Sequence, residues 1–163
     1  MWEKEIRNED HFTHSYVQYL FSNFVVEGVN EILSNPNAPK IQDESNAHWY
    51  PKPALKDVLI NWDLMPASEI GALVRACTNW NAGAITLYQG MEAKMIDVSY
   101  QPSPIPGSPP GTITAISDSI KVSCINNEEL SVYYLSMNGI PFPGRQASKF
   151  GVMTGERLTY LSD

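Results

Sequence analysis

Five short apolar runs between residues 84 and 135 alternate apolar and polar side chains with a period close to two. Residues that tolerate tight backbone geometry stand between them, as in Gln89-Gly90-Met91 and Ser117-Asp118-Ser119. This pattern is typical of antiparallel strands joined by short turns. It predicts a small β structure built from the runs 84–88, 93–98, 112–116, 120–125 and 130–135.

Apolar residues recur at helical spacing in two segments before these strands. The first segment is Thr13–Leu33, which Asn35-Pro36 should end, and the second is Pro66–Thr78, where Ile70, Leu73, Val74 and Cys77 share one face. Together the patterns predict a mainly β fold with α (α+β). We expect a small OB-like Greek-key barrel preceded by a helix, with a further N-terminal helix and an extended linker.

The same patterns divide the chain into three parts. We expect a helix in residues 1–34, a linker in residues 35–57 and a barrel domain in residues 58–163. Prolines at 36, 39, 51 and 53 favour an extended linker. Trp49 and Tyr50 are expected to anchor that linker on a surface.

Charge and hydropathy exclude several classes of protein. The net charge is -7, and neither part is basic, since residues 1–57 hold 5 basic and 9 acidic side chains and residues 58–163 hold 6 and 9. Affinity for a phosphate backbone needs clustered Lys and Arg, so nucleic-acid binding is disfavoured. No apolar run is long enough to span a membrane, and the N-terminus does not resemble a signal peptide. We therefore expect a cytoplasmic protein without membrane contact, in which Cys77 and Cys124 are buried free thiols.

Few residues suggest chemistry. His11 and His14 stand three apart, but two histidines without further ligands make a poor metal site. No Gly-x-Ser-x-Gly elbow occurs, so a hydrolase triad has no support. Asn46-Ala47-His48 is the remaining candidate for a catalytic loop. A surface or ring-packing role for His48 is expected instead, and we predict no catalytic, cofactor-binding or metal-binding residue in this chain.

Several motifs, in order, resemble the C-terminal region of the methionyl-tRNA formyltransferase and amino-sugar formyltransferase family. They span roughly residues 15–158, and their order is more specific than any one of them. The matching pieces are Gln42-Asp43-Glu44-Ser45, Tyr50-Pro51-Lys52 with Ile60-Asn61-Trp62, Arg75-Ala76 with Trp80 and Gly83-Ala84, Pro110-Gly111-Thr112-Ile113, and Gly144-Arg145 with Gly155-Glu156-Arg157-Leu158.

The resemblance implies that catalysis lies in an upstream domain, whose Asn-x-His loop and distant Asp act on 10-formyltetrahydrofolate and an amine. Residues 1–34 are similar to the last helix of that domain. On this alignment Asn46-Ala47-His48 falls in the family's linker and is not the catalytic loop. The chain is then a non-catalytic region of a formyltransferase involved in one-carbon metabolism, and the folate cofactor is implied only for the parent enzyme.

Four residues in the matching motifs are candidates for acceptor or partner contact: Arg145, Arg75, Trp80 and Arg157. Structural roles compete with this interpretation. Arg75 and Arg157 are expected to pair with acids or cap carbonyls, and Trp80 is expected to pack in the core. Arg145 is the best candidate for a functional contact.

The implied partners are the missing N-terminal catalytic domain and a small amine or amino-sugar acceptor, with a second copy of the chain as a further candidate. Arg145-Gln146 replaces the family's paired lysines, and Asn79 and Asn81 replace prolines beside Trp80. These departures, with the acidic charge, make tRNA a less favoured partner. The alternative is a stand-alone barrel that binds a protein or a sugar without any link to catalysis.

Overall fold

A computed structural model describes residues 14–35, 44–102 and 107–160. The chain divides into two compact units, Met1–Lys52 and Pro53–Asp163. In the first unit, helix α1 spans His14–Ser34 and a single 3-10 turn covers Glu44–Asn46. No helix in the described parts of the chain is both long and apolar enough to cross a bilayer.

The second unit is an α+β structure in which one curled antiparallel sheet forms an OB-like half-barrel. Its helix α2 covers Ala67–Asn81. The strands are β1 (Ala84–Tyr88), β2 (Met91–Pro102), β3 (Ile113–Ile116), β4 (Ile120–Ser123), β5 (Glu128–Met137), β6 (Ile140–Pro143) and β7 (Leu158–Thr159). The sheet order is β3-β4-β5-β2-β1-β7, and β6 also pairs with β5.

Helix α2 begins with a hydrogen bond that the sequence pattern does not show. Pro66 occupies the position before the helix, so no side chain there can cap it. The Glu128 carboxylate, at the start of β5, accepts a hydrogen bond from the Ala67 backbone N–H at 2.7 Å instead. A carboxylate at a helix N-terminus is favourable because the first N–H groups have no partner within the helix. Glu128 therefore ties the helix start to the sheet.

Both β2 and β5 contain an irregularity at the same place. In the register, Met95 pairs with Leu135, Asp97 with Tyr134, and Val98 with Val132, so Ile96 and Tyr133 are each left without a partner. Such bulges increase twist and redirect side chains. This one turns the long β2–β5 pair, which lets β5 pair with β4 on one stretch and with β6 on the next.

Hydrogen bonds also join the two ends of the curled sheet. The N–H of Ile113 donates to the Glu156 carbonyl, and the N–H of Gly155 donates to the Ile113 carbonyl. The N–H of Leu158 donates to the carbonyl of Gly111, which has a positive φ of 84°. A β-carbon at Gly111 would collide with that same Leu158 backbone. The glycine of the Pro110-Gly111-Thr112-Ile113 motif is thus required for this closure.

A buried polar chain fastens the segment before α2 to the barrel. The indole Nε1 of Trp62 donates to the Thr86 hydroxyl at 2.9 Å, and that hydroxyl donates to the Thr159 carbonyl at 2.8 Å. Trp62 is fully buried, and Thr86 is 1% exposed. Within residues 14–35, 44–102 and 107–160, no buried side-chain nitrogen or oxygen lacks a hydrogen-bond partner, as buried polar groups require.

The helices and strands predicted from the sequence are present in the structure as helices and strands. All five predicted strands and both helices are present, and the buried face of α2 contains Ile70, Val74 and Cys77 as expected. Both cysteines are buried and free, which confirms that prediction. The short strands β6 and β7 were not predicted, because β6 contains two prolines and β7 has only two residues.

Candidate partner surfaces

In the described part of the chain, the cavity inside the barrel is lined by apolar side chains, including Met95, Val122 and Leu135, and by the ring of Tyr88. The Tyr88 hydroxyl is used structurally, since it donates to the Gly151 carbonyl at 3.0 Å and accepts from the Met153 N–H at 3.1 Å. Transition-state stabilisation needs polar groups aimed at a developing charge. Among the described residues, the candidates for function therefore lie on the outer surfaces.

Arg157 has a structural role. Its Nη2 lies 2.6 Å from Asp63 Oδ1, and its Nε donates to the Pro110 carbonyl at 2.8 Å. Both expectations for this residue, pairing with an acid and capping a carbonyl, are met. The guanidinium joins the segment before α2 to the loop before β3, which leaves little of it to bind a ligand.

Arg145 is exposed and forms no ion pair with any described residue. Its position is fixed by Gly144, because a β-carbon there would collide with the Val132 carbonyl of β5. The backbone of the Gly144-Arg145 motif thus rests directly on the sheet, and the 3-10 helix Gly144–Phe150 follows. The side chain of Arg145 remains available for an acidic partner.

Arg75 is exposed on α2 beside a tyrosine of β2. Both side chains lie over Gly71: a β-carbon on that residue would be 3.5 Å from Nη1 of Arg75 and 3.3 Å from Cδ1 of Tyr100. Within the described residues Arg75 neither pairs with an acid nor caps a carbonyl. The structural role expected for Arg75 is therefore not seen here.

Trp80 does not pack in the core, so that expectation is wrong. Its side chain is 57% exposed, and its Nε1 donates to the Ala76 carbonyl of the same helix at 2.9 Å. The residue stands in the last turn of α2, past the face that contacts the sheet. The helical repeat puts Trp80 and Arg75, five positions apart, on different sides of the helix. They do not form one site.

Histidine and cysteine chemistry finds no support in the described residues. His48 is exposed, with its ring centroid 6.5 Å from that of Tyr50. His11 lies outside the described residues, and the described part of the chain holds no cluster of three metal-ligating side chains. Burial raises the pKa of the Cys77 thiol. Burial and the nearby Glu128 carboxylate raise the pKa of Cys124 to about 12. Neither thiol is a ready nucleophile.

The first unit exposes a large apolar surface. Trp49 and Tyr50 are 92% and 78% exposed, and their role as anchors of the linker on a surface stays a prediction. Exposed apolar residues of this number mark an interaction surface more often than a solvated one. On helix α1, the exposed large apolar side chains are Val17, Tyr19, Phe21, Val25, Val26, Val29, Ile32 and Leu33.

Solved structures with a similar fold include several of HypX from Aquifex aeolicus. One variant superposes with a TM-score of 0.61 at 16% identity, covering 95% of this chain and 28% of HypX. A second variant gives 0.59 at 16%, covering 85% and 26%. HypX in complex with tetrahydrofolic acid gives 0.54 at 18%, covering 76% and 22%. This chain spans roughly a quarter of HypX.

A family resemblance in sequence covers α2 and the strands β1 to β6. Residues 54–144 match the family described as formyl transferase, C-terminal domain. The match includes α2, the bulged β2–β5 pair and the Gly144 contact with β5. It ends before Arg145 and before the segment that closes the sheet. This chain therefore belongs to the formyl transferase C-terminal domain family.

Proposed function

We propose that this chain is the non-catalytic C-terminal region of a formyltransferase-like protein that transfers a formyl group from 10-formyltetrahydrofolate to an amine. The match of residues 54–144 to the C-terminal domain family carries the proposal. The link to folate is supported by the fold shared with HypX, one structure of which is a complex with tetrahydrofolic acid. The region's role is to hold the catalytic domain and to help position the acceptor.

The catalytic domain is the proposed occupant of the apolar surface on α1. One HypX structure matches 95% of this chain, which corresponds to 28% of HypX, so most of that protein lies outside the matched region. Burying an apolar face that carries few charges is favourable, because it lowers the free energy by about 25 cal/mol for each Å² removed from water. Docking on a partner domain would supply that burial.

Charge favours a small acceptor over a nucleic acid. Residues 58–163 have three more acidic than basic side chains, and of the candidate cations Arg157 is already paired with Asp63. A phosphate backbone would meet net repulsion at this surface. A protonated amine would instead be attracted to it.

Two measurements test the proposal. The 163-residue chain, incubated with 10-formyltetrahydrofolate and an amine, should release no tetrahydrofolate above a buffer blank. Calorimetric titration with the folate-dependent catalytic domain of the same organism should show binding that Val25→Glu weakens by about tenfold or more, since a charge would be buried at an apolar interface. Asn23→Glu is the control, because it adds the same charge at an exposed position that the helical repeat places about 160° around α1 from Val25.

Formyl transfer by the chain alone would refute the non-catalytic assignment. Failure of the chain to bind the catalytic domain, or equal weakening by both α1 variants, would refute the docking role and favour the stand-alone barrel.

A further inference from the structure

The bulge in the β2–β5 pair changes what the outer face of the sheet displays. Strand residues normally alternate between the two faces. In β5, however, the consecutive residues Tyr133 and Tyr134 are 42% and 40% exposed, while Val132 and Leu135 on either side are buried. The unpaired position at Tyr133 is the cause. Both tyrosine side chains are therefore exposed to solvent.

Two polar residues of β2 lie beside these rings. Asp97 is the register partner of Tyr134, which places their β-carbons about 5 Å apart. The Ser99 hydroxyl lies 3.3 Å from the Tyr133 hydroxyl. We call Asp97, Ser99, Tyr133 and Tyr134 the bulge patch. It combines a carboxylate, hydroxyl groups and two aromatic rings on strands that are hydrogen-bonded along their length.

The carboxylate of the bulge patch is not neutralised. Two lysines of the sheet have other partners: Lys94, on the same strand as Asp97, lies 3.8 Å from Glu92, and Lys121 on β4 lies 3.2 Å from Glu129. Asp97 is exposed and has no ion pair or side-chain hydrogen bond within the described part of the chain. A carboxylate without an internal cation, close to two exposed tyrosine side chains, can attract an organic cation through its charge and through the negative ring faces.

We propose that the bulge patch binds a protonated primary amine carried on a hydroxylated molecule, such as an amino sugar. Asp97 receives the ammonium group, the rings of Tyr133 and Tyr134 contact the cation and the apolar face of the sugar, and the Ser99 and tyrosine hydroxyls bond its hydroxyl groups. The inference rests on the proposed function in that an amine is the acceptor there, and it adds a site for that amine on this chain. The acidic barrel unit reinforces the attraction.

The site is shallow, so its affinity is modest. Exposed cation–ring contacts and exposed ion pairs are individually weak. We expect a dissociation constant of about a millimolar for a single amino sugar. Such a site would hold an acceptor only with help from a second surface, for example that of a catalytic domain.

The test uses the full chain alone, with glucosamine as the probe and glucose as the uncharged control. In a mildly acidic buffer, where the amine is protonated, ¹H–¹⁵N NMR titration should show saturable shifts at the four patch residues with glucosamine and not with glucose. Asp97→Asn and Tyr134→Leu should each weaken binding about two- to fivefold. Asp118→Asn and Tyr50→Leu make the same changes at other exposed sites and should leave the affinity unchanged.

Equal shifts with glucose and glucosamine would overturn the inference, because hydroxyl groups alone would then explain binding. Absence of saturable shifts at the patch, or equal effects of patch and control variants, would also overturn it. So would saturable binding of acetate at the patch, because the surface would then select anions. None of these results depends on docking to a catalytic domain, so this inference and the proposed function can fail separately.

Discussion

The buried chain from Trp62 through Thr86 to Thr159 makes a sharp prediction about stability. Thr86→Val keeps the shape of the side chain and removes its hydroxyl. The Trp62 N–H then stays buried without an acceptor, which costs about 1–3 kcal/mol, and the bond to the Thr159 carbonyl is lost, which costs about 0.5–1.5 kcal/mol. We expect the free energy of unfolding to fall by roughly 2–4 kcal/mol, a large share of a typical domain's stability.

Urea denaturation followed by near-ultraviolet circular dichroism measures this loss. Thr86→Ser keeps the hydroxyl and removes one methyl group, so it should cost only about 1 kcal/mol. Thr114→Val removes a hydroxyl that makes a single half-buried bond to the Lys121 carbonyl at 3.2 Å, and it should also cost about 1 kcal/mol. If Thr86→Ser destabilises more than Thr86→Val, packing of the methyl group dominates and the argument from the buried donor is wrong.

Three further predictions follow from the same contacts and charges. Glu128→Ala should lower the free energy of unfolding by about 1 kcal/mol, because the start of α2 loses its cap. Glu69→Ala removes a carboxylate from the first turn of α2 that makes no such bond, and it should cost less. Equal losses of stability in urea titrations would contradict the capping role of Glu128. The pKa of Cys124 is raised to about 12 from a usual value of 9.0, so the folded thiol stays neutral while the unfolded one ionises. The stability that the neutral thiol supplies is complete below pH 9 and is lost as the pH rises towards 12. Over that range the free energy of unfolding should fall by up to about 1.4 kcal/mol per pH unit. Denaturation curves measured at increasing pH should show this fall for the natural chain and not for Cys124→Ala. Finally, gel-shift titration at physiological salt should give an affinity for tRNA weaker than about micromolar, and a tight, salt-sensitive complex would show that the charge argument is wrong.

Period and turn residues were sufficient to predict the type of most elements. The alternation in residues 84–88 and 130–135 and the helical spacing from Ile70 to Cys77 report which face of each element is buried, and burial is what the fold preserves. The ordered motifs were sufficient to predict the family. The burial of both cysteines also followed from their small number and their wide separation.

Contacts between residues far apart in the chain could not be predicted in this way. The Glu128 cap joins positions 61 residues apart, and the Arg157–Asp63 pair joins positions 94 apart. Trp80 was expected in the core because it is large and apolar, yet α2 turns it away from the sheet. The periodicity of apolar residues cannot predict which side chains at the end of a helix are buried by the sheet. That burial depends on where the neighbouring strands end.

In the bulge patch, the sequence indicates the irregular strand but not the residues that lie beside it. Tyr133-Tyr134 interrupts the alternation of its strand, and that interruption is the one signal in the sequence that could have pointed to a bulge. Nothing in the sequence places Asp97 and Ser99 beside those tyrosines, because the register of β2 on β5 is set by the barrel's core and by the paired irregularities. The sequence by itself determined the elements and the family; the tertiary structure decided which polar and aromatic side chains share a surface, because only packing of the core fixes the register between strands.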